Sequence, residues 1–205
     1  MTGIRAIILA AGESRRMGTQ KLLLPFRGKT IIENVVDNVL LSGISDIVVV
    51  SGADHEAIYS ALQDRPVRLV YNENFRDGMF SSVKCGVDAL PEEPAAFMLF
   101  LGDQPFIPVE VIHLVAEAWY HSKRGIIIPV YNGFRGHPIL IDGRYKKRIL
   151  NLDPEIGLRS LAEQFPEDVF ETITDFPEII RDIDSKNDYF NELNKKYKYG
   201  RKNSF

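Results

Sequence analysis

The apolar residues in the first half of the chain follow two alternating patterns. Short apolar runs, the length of a strand buried on both faces, alternate with longer segments in which apolar residues recur every three or four positions, as on one face of a helix. The short runs predict strands at residues 7–11, 47–50, 67–71 and 97–101. The longer segments predict helices that begin at Thr30 and after Asp54, and helices over residues 80–90 and 108–121. This alternation predicts a three-layer, Rossmann-like α/β fold whose central sheet is mixed but largely parallel.

The second half of the chain has a less regular pattern. It predicts strands at residues 126–130, 139–141, 169–173 and 179–183, short helices near residues 144–150 and 158–164, and a last helix that contains Tyr189, Phe190 and Leu193. We expect residues 1–193 to form a single domain, since a chain of 205 residues can bury about 70% of its unfolded surface. Residues 194–205 contain five lysine or arginine residues, and we expect them to form a frayed basic tail.

The composition of the chain is ordinary for a soluble globular protein, with 45% hydrophobic and 26% charged residues. Its formal net charge of −3 leaves no basic field that would recruit nucleic acid. A single cysteine, Cys85, excludes an internal disulfide bond and is typical of a reducing cytoplasm. No apolar run approaches the roughly 20 residues of a membrane span, and the first residues lack the pattern of a signal peptide. We therefore expect a cytoplasmic protein.

The first predicted strand is followed by a polar, basic loop. Gly12 ends the strand, and Ser14, Arg15, Arg16 and Lys21 follow it. A glycine at this place lets backbone N–H groups approach an anion closely, and the three cations add fixed positive charge. An ordinary turn with solvated basic residues is the alternative, but the combination favours a loop that binds a polyphosphate.

The loop does not match two common nucleotide-binding motifs. A P-loop has four residues between its glycines and then Lys-Ser or Lys-Thr, whereas five residues separate Gly12 from Gly18 and Lys21 comes three residues late. The dinucleotide motif G-x-G-x-x-G would need a glycine in place of Ser14. The alternation of strands and helices alone permits a dinucleotide-dependent oxidoreductase, but the missing glycine and the surplus of basic residues argue against one.

Small or polar residues follow the first four predicted strands. They are Gly12, Ser51 with Gly52, Asn72, and Gly102 with Asp103. Because ligands bind beyond the carboxyl ends of the strands in such sheets, we expect these segments to form one site. A carboxylate at Asp103 would repel a phosphate unless a divalent cation lay between them, and Mg²⁺ binds in this way. A turn or a helix cap is the alternative role for this aspartate.

The loop and three later segments together resemble one family. Leu9 to Lys21 fit the pattern L-A-A-G-x-S-x-R-M-G-x-x-K, which opens the nucleotidyltransferases of the molybdopterin cytidylyltransferase and guanylyltransferase type. Gly-Asp-Gln-Pro at 102–105, Gly-His-Pro at 136–138 and Asp-Ile-Asp-Ser at 182–185 are similar to later motifs of the cytidylyltransferase branch. The resemblance covers almost the whole chain and implies the fold of these nucleotidyltransferases.

Together with the convergence of the strand ends, the resemblance predicts the residues of the site. The nucleotide would contact Leu9, Ala10, Ala11, Gly12, Ser14, Arg15, Gly18, Lys21, Ser51, Gly52, Asn72, Gly78, Ser81, Ser82 and Gly102. The catalytic residues would be Lys21, Arg16 and Asp103, and the metal ligands Asp103 and Asp184. The acceptor would bind near Gln104, Pro105, Gly136, His137 and Pro138.

Some of these assignments have alternatives, and the chain departs from the family pattern at one position. Asp184 could instead cap the last helix, and Ser81 and Ser82 could cap the helix that follows them. Phe80 stands where the family usually has the first of three serines, so the contacts to the base are less closely defined. Ala11, where the guanylyltransferase branch usually has glycine, favours cytidine over guanosine.

The reaction that the resemblance implies is Mg²⁺-dependent transfer of CMP from CTP to molybdopterin phosphate, with release of pyrophosphate. A phosphate acceptor is largely ionised at neutral pH, so it needs no general base, and the chain shows no nucleophile paired with one. Related enzymes act on sugar or polyol phosphates, which remain the alternative acceptors. A carrier that binds nucleotide or cofactor without catalysis is a further alternative. A molybdoenzyme is the expected recipient of the product.

Overall fold

The computed structural model describes residues 3–154 and 156–200, and for residues 195–200 it describes the backbone alone. The strands are β1 (Ile4–Ala10), β2 (Pro25–Phe26), β3 (Lys29–Thr30), β4 (Ile47–Ser51), β5 (Arg68–Tyr71), β6 (Ala96–Leu101), β7 (Ile126–Tyr131), β8 (Phe134–Arg135), β9 (Ile139–Asp142) and β10 (Val169–Ile173). The α-helices are α1 (Ile31–Leu41), α2 (His55–Leu62), α3 (Met79–Asp88), α4 (Val109–Ser122), α5 (Lys146–Leu150), α6 (Arg159–Gln164) and α7 (Lys186–Gly200). Within the described ranges, no helix has both the length and the apolar character needed to span a bilayer.

The main sheet has the strand order β10-β7-β9-β6-β1-β4-β5, and β8 pairs with β7. β1 runs parallel to both of its neighbours, β4 and β6, whereas β9 runs antiparallel to β6 and β7. Helices α1 and α4 pack into the hydrophobic core on one face of the sheet, and α3, α5 and α6 pack on the other. The prediction of three layers around a mixed, largely parallel sheet is confirmed.

Helix α1 begins with the capping box that its sequence predicts. The Thr30 hydroxyl accepts a hydrogen bond from the Glu33 amide at 3.3 Å, and the Glu33 carboxylate accepts one from the Thr30 amide at 2.6 Å. Two of the N–H groups that a helix start leaves unpaired are thereby satisfied. Asp54 precedes α2 as expected, but its side chain makes no capping hydrogen bond.

The prediction of a strand at residues 179–183 is wrong. The structure has a short 3-10 helix at Pro177–Ile180, and residues 181–184 have no regular secondary structure. Ile179 and Ile183 are fully buried, so their apolar character reflects burial under the sheet edge. Their backbone groups pair with loops, since Ile179 O accepts from His137 N and Ile183 N donates to Asp103 O.

Helix α7 extends beyond the predicted domain boundary. It continues through residues 194–200, where we expected a frayed tail. Residues 201–205 of that predicted tail lie outside the described residues.

The register of the central strands brings the predicted loops together. Leu9 of β1 is paired with Leu101 of β6, and Ala10 is paired with Ser51 of β4. Because these parallel strands end side by side, the loops that follow β1, β4 and β6 leave the sheet at one edge.

Candidate active site

A cleft of about 460 Å³ lies at this edge, and we call it the loop cleft. Its walls come from the first loop, the start of α3 and the ends of β6 and the 181–184 segment. The lining residues are Leu9, Ala10, Ala11, Gly12, Glu13, Ser14, Arg15, Arg16, Lys21, Leu22, Phe75, Gly78, Met79, Ser82, Leu101, Asp103 and Asp184. The structure therefore brings most of the predicted first loop into one cleft with both predicted metal ligands.

The basic loop and the acidic residues are in direct contact across this cleft. Lys21 Nζ donates to Asp103 Oδ2 at 2.7 Å and to Asp184 Oδ1 at 2.8 Å. Arg16 Nη1 donates to Asp184 Oδ2 at 2.5 Å. Burial alone would lower the pKa of Lys21, but the charges of Asp103 and Asp184 outweigh that effect and raise it. Lys21 is therefore a fixed cation at the base of the cleft.

Asp182 joins Asp103 and Asp184 in a cluster of three carboxylates. One oxygen of each side chain lies within 4.8 Å of an oxygen of the other two. Partial burial and the negative charges of Asp103 and Asp184 raise the pKa of Asp182, whereas the hydrogen bond from Lys21 lowers the pKa of Asp184. Carboxylate oxygens at this spacing are the ligands of hard divalent cations, so the three residues fit such an ion.

The first loop has a defined backbone between the strand and Lys21. Ser14 and Gly18 have left-handed φ angles of 51° and 68°, and the Ser14 carbonyl accepts a hydrogen bond from the Met17 amide at 2.9 Å. Met17 is buried in the protein, while Arg15 and Arg16, which lie between Ser14 and Met17 in the turn, are exposed. The turn thus anchors itself through Met17 and presents its cations to the cleft.

Several predicted nucleotide-binding residues do not line the cleft. They are Gly18, Ser51, Gly52, Asn72, Ser81 and Gly102. A Cβ at Gly52 would lie 2.6 Å from Ala11 O, and one at Gly102 would lie 2.7 Å from Leu9 O. These two glycines therefore allow the ends of β4 and β6 to pack closely against the end of β1.

Asn72 and Ser81 belong to a hydrogen-bonded corner before α3. The Asn72 side-chain amide donates to the hydroxyls of Ser81 and Ser82 at 2.9 and 3.0 Å, and Asn72 Oδ1 accepts from the Asn74 amide. Asn72 is buried at 4% exposure, so its amide is used within the protein. Ser82 lines the loop cleft, and Asn72 fixes its position.

A second cavity of about 500 Å³ adjoins the loop cleft, and we call it the apolar cavity. The two share Leu9, Met79 and Leu101. The rest of the apolar cavity is lined by Phe80, Val83, Leu99, Ile126, Ile128, Arg135, Gly136, His137, Ile139, Ile141, Ile156, Gly157, Leu158, Arg159, Leu161 and Ala162. Arg135, His137 and Arg159 supply the polar side chains in a wall that is otherwise apolar.

The predicted acceptor residues divide between two places. Gly136 and His137 line the apolar cavity, whereas Gln104, Pro105 and Pro138 line neither space. Gln104 and Pro105 are buried beneath the site. Burial lowers the pKa of His137 to about 4, although the charge of Asp103 partly opposes the shift. His137 is therefore neutral at physiological pH.

The sequence analysis missed several residues of the carboxylate cluster and of the two cavities. Among them are Asp182 in the carboxylate cluster, Met79 between the two spaces, and Arg159 at the apolar cavity. The sequence did contain a pattern that could have identified Asp182, because it is two residues from Asp184 at the end of a segment that we expected to be a strand. No sequence pattern indicated Arg159, since its position at the cavity depends on how α6 packs against the rest of the protein.

Comparison with known proteins assigns the chain to a family. A family model described as a MobA-like NTP transferase domain matches residues 6–169. The chain belongs to this family. It is a nucleotidyltransferase, as its resemblance predicted.

The relatives of this nucleotidyltransferase differ in their named activities. The chain is 28% identical over 190 residues to the molybdenum cofactor cytidylyltransferase of Escherichia coli (strain K12), covering 92% of this chain and 95% of that protein. It is 29% identical over 172 residues to nicotine blue oxidoreductase of Paenarthrobacter nicotinovorans, covering 80% and 83%. The names of these two relatives therefore indicate two different activities.

A solved structure has the same fold. Rv0371c from Mycobacterium tuberculosis H37Rv aligns with a TM-score of 0.81 and 24% identity, covering 93% of this chain and 97% of that one. Another structure of Rv0371c, in complex with manganese, aligns with a TM-score of 0.77 and 21% identity over 93% and 98%. The likeness at this identity concerns the fold alone.

Proposed function

We propose that this nucleotidyltransferase transfers CMP from CTP to molybdopterin phosphate, with Mg²⁺ as its metal ion, and releases pyrophosphate. The observation that carries the proposal is the contact of Lys21 with Asp103 and Asp184 in the loop cleft, which adjoins the apolar cavity. Cations for a triphosphate and carboxylates for a metal ion meet there, beside a space for an acceptor. The E. coli relative named molybdenum cofactor cytidylyltransferase supports the choice of substrates.

The residues of the loop cleft have the charges that the triphosphate requires. Lys21 and Arg16 carry the positive charge, while Asp103 and Asp184, with Asp182, hold the metal ion. When bound, Mg²⁺ offsets phosphate charge and increases the electrophilicity of the α-phosphorus. The side chains orient the two substrates and stabilise charge, which is most of what such a transfer needs.

No general base is required in this proposal. The acceptor phosphate is largely ionised at neutral pH, because its second pKa is near ~6. His137 is neutral and could accept a proton, but it lines the apolar cavity, where we propose that it contacts the acceptor body. Gly78 and Ser82 reach the loop cleft and are the proposed contacts to the nucleoside, held in place by Asn72 and Ser81.

The wall of the apolar cavity favours molybdopterin over a sugar or polyol phosphate. Each hydroxyl of a polyol that enters a pocket needs a hydrogen-bond partner, and an unpaired one is costly. Most side chains of this cavity, such as Ile126, Ile128, Ile139 and Leu161, offer no such partner. They suit the faces of a flat heterocycle. We further propose a cytoplasmic location and delivery of the product to a molybdoenzyme.

The proposal is tested by measuring pyrophosphate release from CTP, GTP, ATP and UTP with Mg²⁺, each paired with molybdopterin, a sugar phosphate and a polyol phosphate. We expect release with CTP and molybdopterin and formation of the cytidylyl adduct. Release with a polyol phosphate alone would reassign the acceptor. Tight CTP binding without release from any pair would instead indicate a carrier.

The same panel run with NADH and NADPH tests the redox activity that the name of one relative suggests. Oxidation of either cofactor in the presence of a quinoid heterocycle, with no pyrophosphate release, would overturn the proposal.

A further inference from the structure

Gln20 lies at the end of the first loop and makes four hydrogen bonds to three separate segments. Its Oε1 accepts from the Ser14 hydroxyl at 2.8 Å and from the Leu22 amide at 3.4 Å. Its Nε2 donates to Asp54 Oδ2 at 2.7 Å and to Gly12 O at 3.4 Å. One side chain therefore connects both ends of the loop with each other and with the corner between β4 and α2.

The Ser14 hydroxyl links this arrangement to Lys21. It donates to Gln20 Oε1 and accepts from the Lys21 amide at 3.1 Å. Ser14 is in the left-handed region at φ 51°, a conformation that a residue with a Cβ keeps when the surroundings hold it. The Gln20 amide is thus part of what holds the turn that presents the cations to the cleft.

Asp54 accepts the shortest of the hydrogen bonds that Gln20 donates. It precedes α2 without capping it, and its carboxylate accepts from Gln20 Nε2 instead. The hydrogen bond joins residues far apart in the chain, and a bond to an ionised carboxylate is stronger than one between neutral groups. It fixes the loop to the end of the neighbouring strand.

We propose that Gln20, anchored by Asp54, is a positioning residue that holds the loop from Gly12 to Lys21 in the conformation that receives the triphosphate. Gln20 does not line the cleft, so it acts through Ser14 and Gly12 and touches no substrate. The inference rests on the proposed function for the identity of the ligand, but the contacts that carry it belong to the protein alone.

A simpler role would be to cap the 3-10 helix at Lys21–Leu23, whose N-cap residue is Gln20. The two roles use different atoms. Capping needs Oε1, which accepts from the Leu22 amide, whereas positioning also needs the Nε2 donor. Gln20→Glu keeps an acceptor oxygen for the cap and places a second carboxylate against Asp54. If Gln20 only caps the 3-10 helix, Gln20→Glu should therefore leave nucleotide binding unchanged. If Gln20 positions the loop, the same substitution should weaken nucleotide binding.

The test compares Gln20→Glu, Asp54→Asn and the double variant with the wild type, by CTP·Mg²⁺ dissociation constants and by kcat and KM. In Gln20→Glu we expect the dissociation constant to rise about tenfold, equivalent to the loss of one such hydrogen bond. In the double variant the new amide at position 54 can donate to the new carboxylate at position 20, so the bond is restored with donor and acceptor exchanged. The net charge of the double variant equals that of the wild type, and we expect binding within about threefold of the wild type.

Gln63→Glu, at an exposed position just after α2, is the matched control for the added charge. Amide hydrogen exchange of the nucleotide-free protein is the second readout. We expect faster exchange over residues 12–22 in Gln20→Glu, recovery in the double variant, and no change in β7.

The outcomes separate the two proposals. If the wild type binds no nucleoside triphosphate, the proposed function fails, while the exchange pattern still decides whether Gln20 holds the loop. Wild-type exchange and affinity in Gln20→Glu would overturn the inference, and so would a double variant no better than Gln20→Glu.

Discussion

Lys21 contacts two carboxylates in the structure. The ammonium group lies where Asp103 and Asp184 would otherwise repel each other. A divalent cation held by these carboxylates would compete with the ammonium for their oxygens, and a displaced ammonium would be free to contact the phosphates of the proposed triphosphate. The sequence indicated both residues, because Lys21 belongs to the basic loop that follows β1 and Asp103 lies just after the end of β6. It did not predict their contact, since spacing along a chain carries no information about side-chain distance.

Lys21→Met should impair turnover and yet strengthen binding of a metal ion to the nucleotide-free protein. We expect turnover to fall on the order of 100-fold or more, as when one charged donor is removed from an active site. Mn²⁺ affinity, measured by titration calorimetry, should rise because the ammonium no longer competes for Asp103 and Asp184. Lys29→Met, which removes an exposed lysine paired with Asp37, is the control. Unchanged or weaker Mn²⁺ binding would show that Lys21 does not compete.

Asp103→Asn should also impair turnover, but with the opposite effect on binding of the metal ion. An amide is a poorer ligand than a carboxylate for a hard cation, so we expect weaker Mn²⁺ binding and a loss of turnover on the order of 100-fold. Cooperative thermal unfolding should be retained, since Lys21 keeps its bond to Asp184. Asp188→Asn, which alters the start of α7 outside the cleft, tests whether any loss of an acidic group has this effect.

At the scale of elements, the ends of β4 and β6 pack closely against the end of β1 at Gly52 and Gly102, where there is no space for a side chain. The strand and helix positions of the first half could be predicted, because burial on both faces gives strands an uninterrupted apolar pattern. The segment 179–183 could not, since Ile179 and Ile183 are equally buried without pairing in a sheet. The close packing around Gly52 could not be predicted from the sequence either, because Gly52 packs against Ala11 and Phe75, which belong to other segments of the chain.

Gly52→Ala and Gly12→Ala should separate packing from ligand binding. The new Cβ at Gly52 would lie 2.6 Å from Ala11 O, whereas no heavy atom lies within 4 Å of one at Gly12. We expect Gly52→Ala to lower the free energy of unfolding by about 1–3 kcal/mol, the usual cost of overpacking. Gly12→Ala should leave stability nearly unchanged and raise KM for CTP, since Gly12 lines the loop cleft. Equal loss of stability in both variants, measured by urea unfolding, would contradict this account.

At the scale of the whole molecule, the site combines residues from opposite ends of the chain. The loop after β1 contacts residues after β6 and in the segment before α7, and the apolar cavity takes its wall from both halves. The convergence of strand ends follows from a parallel sheet, so the loop cleft was predictable. The apolar cavity was not, because it depends on β9 entering the sheet between β6 and β7 in the antiparallel direction.

The burial of His137 makes the stability of the whole fold depend on pH. Its pKa is about 4 in the folded protein, against an ordinary value of 6.5. Between these values the unfolded chain binds a proton that the folded protein does not, so the free energy of unfolding falls as the pH is lowered through this range. The slope is about 1.4 kcal/mol per pH unit, or about 3 kcal/mol over the range. Asp184, whose pKa is lowered, loses its contribution only at lower pH.

His137→Gln should therefore make the free energy of unfolding less dependent on pH, and the variant should still fold. Urea unfolding at about pH 7 and about pH 5 gives the difference directly for each protein. We expect the wild type to lose about 2 kcal/mol between these conditions, which corresponds to one proton taken up on unfolding over most of the interval. His137→Gln should lose markedly less, because glutamine does not titrate. His121→Gln, on the exposed face of α4, removes a different histidine and leaves His137 in place as the control. If His137→Gln kept the wild-type difference, the acid sensitivity would have to come from the carboxylates, and the neutral imidazole in the apolar cavity would not be its source.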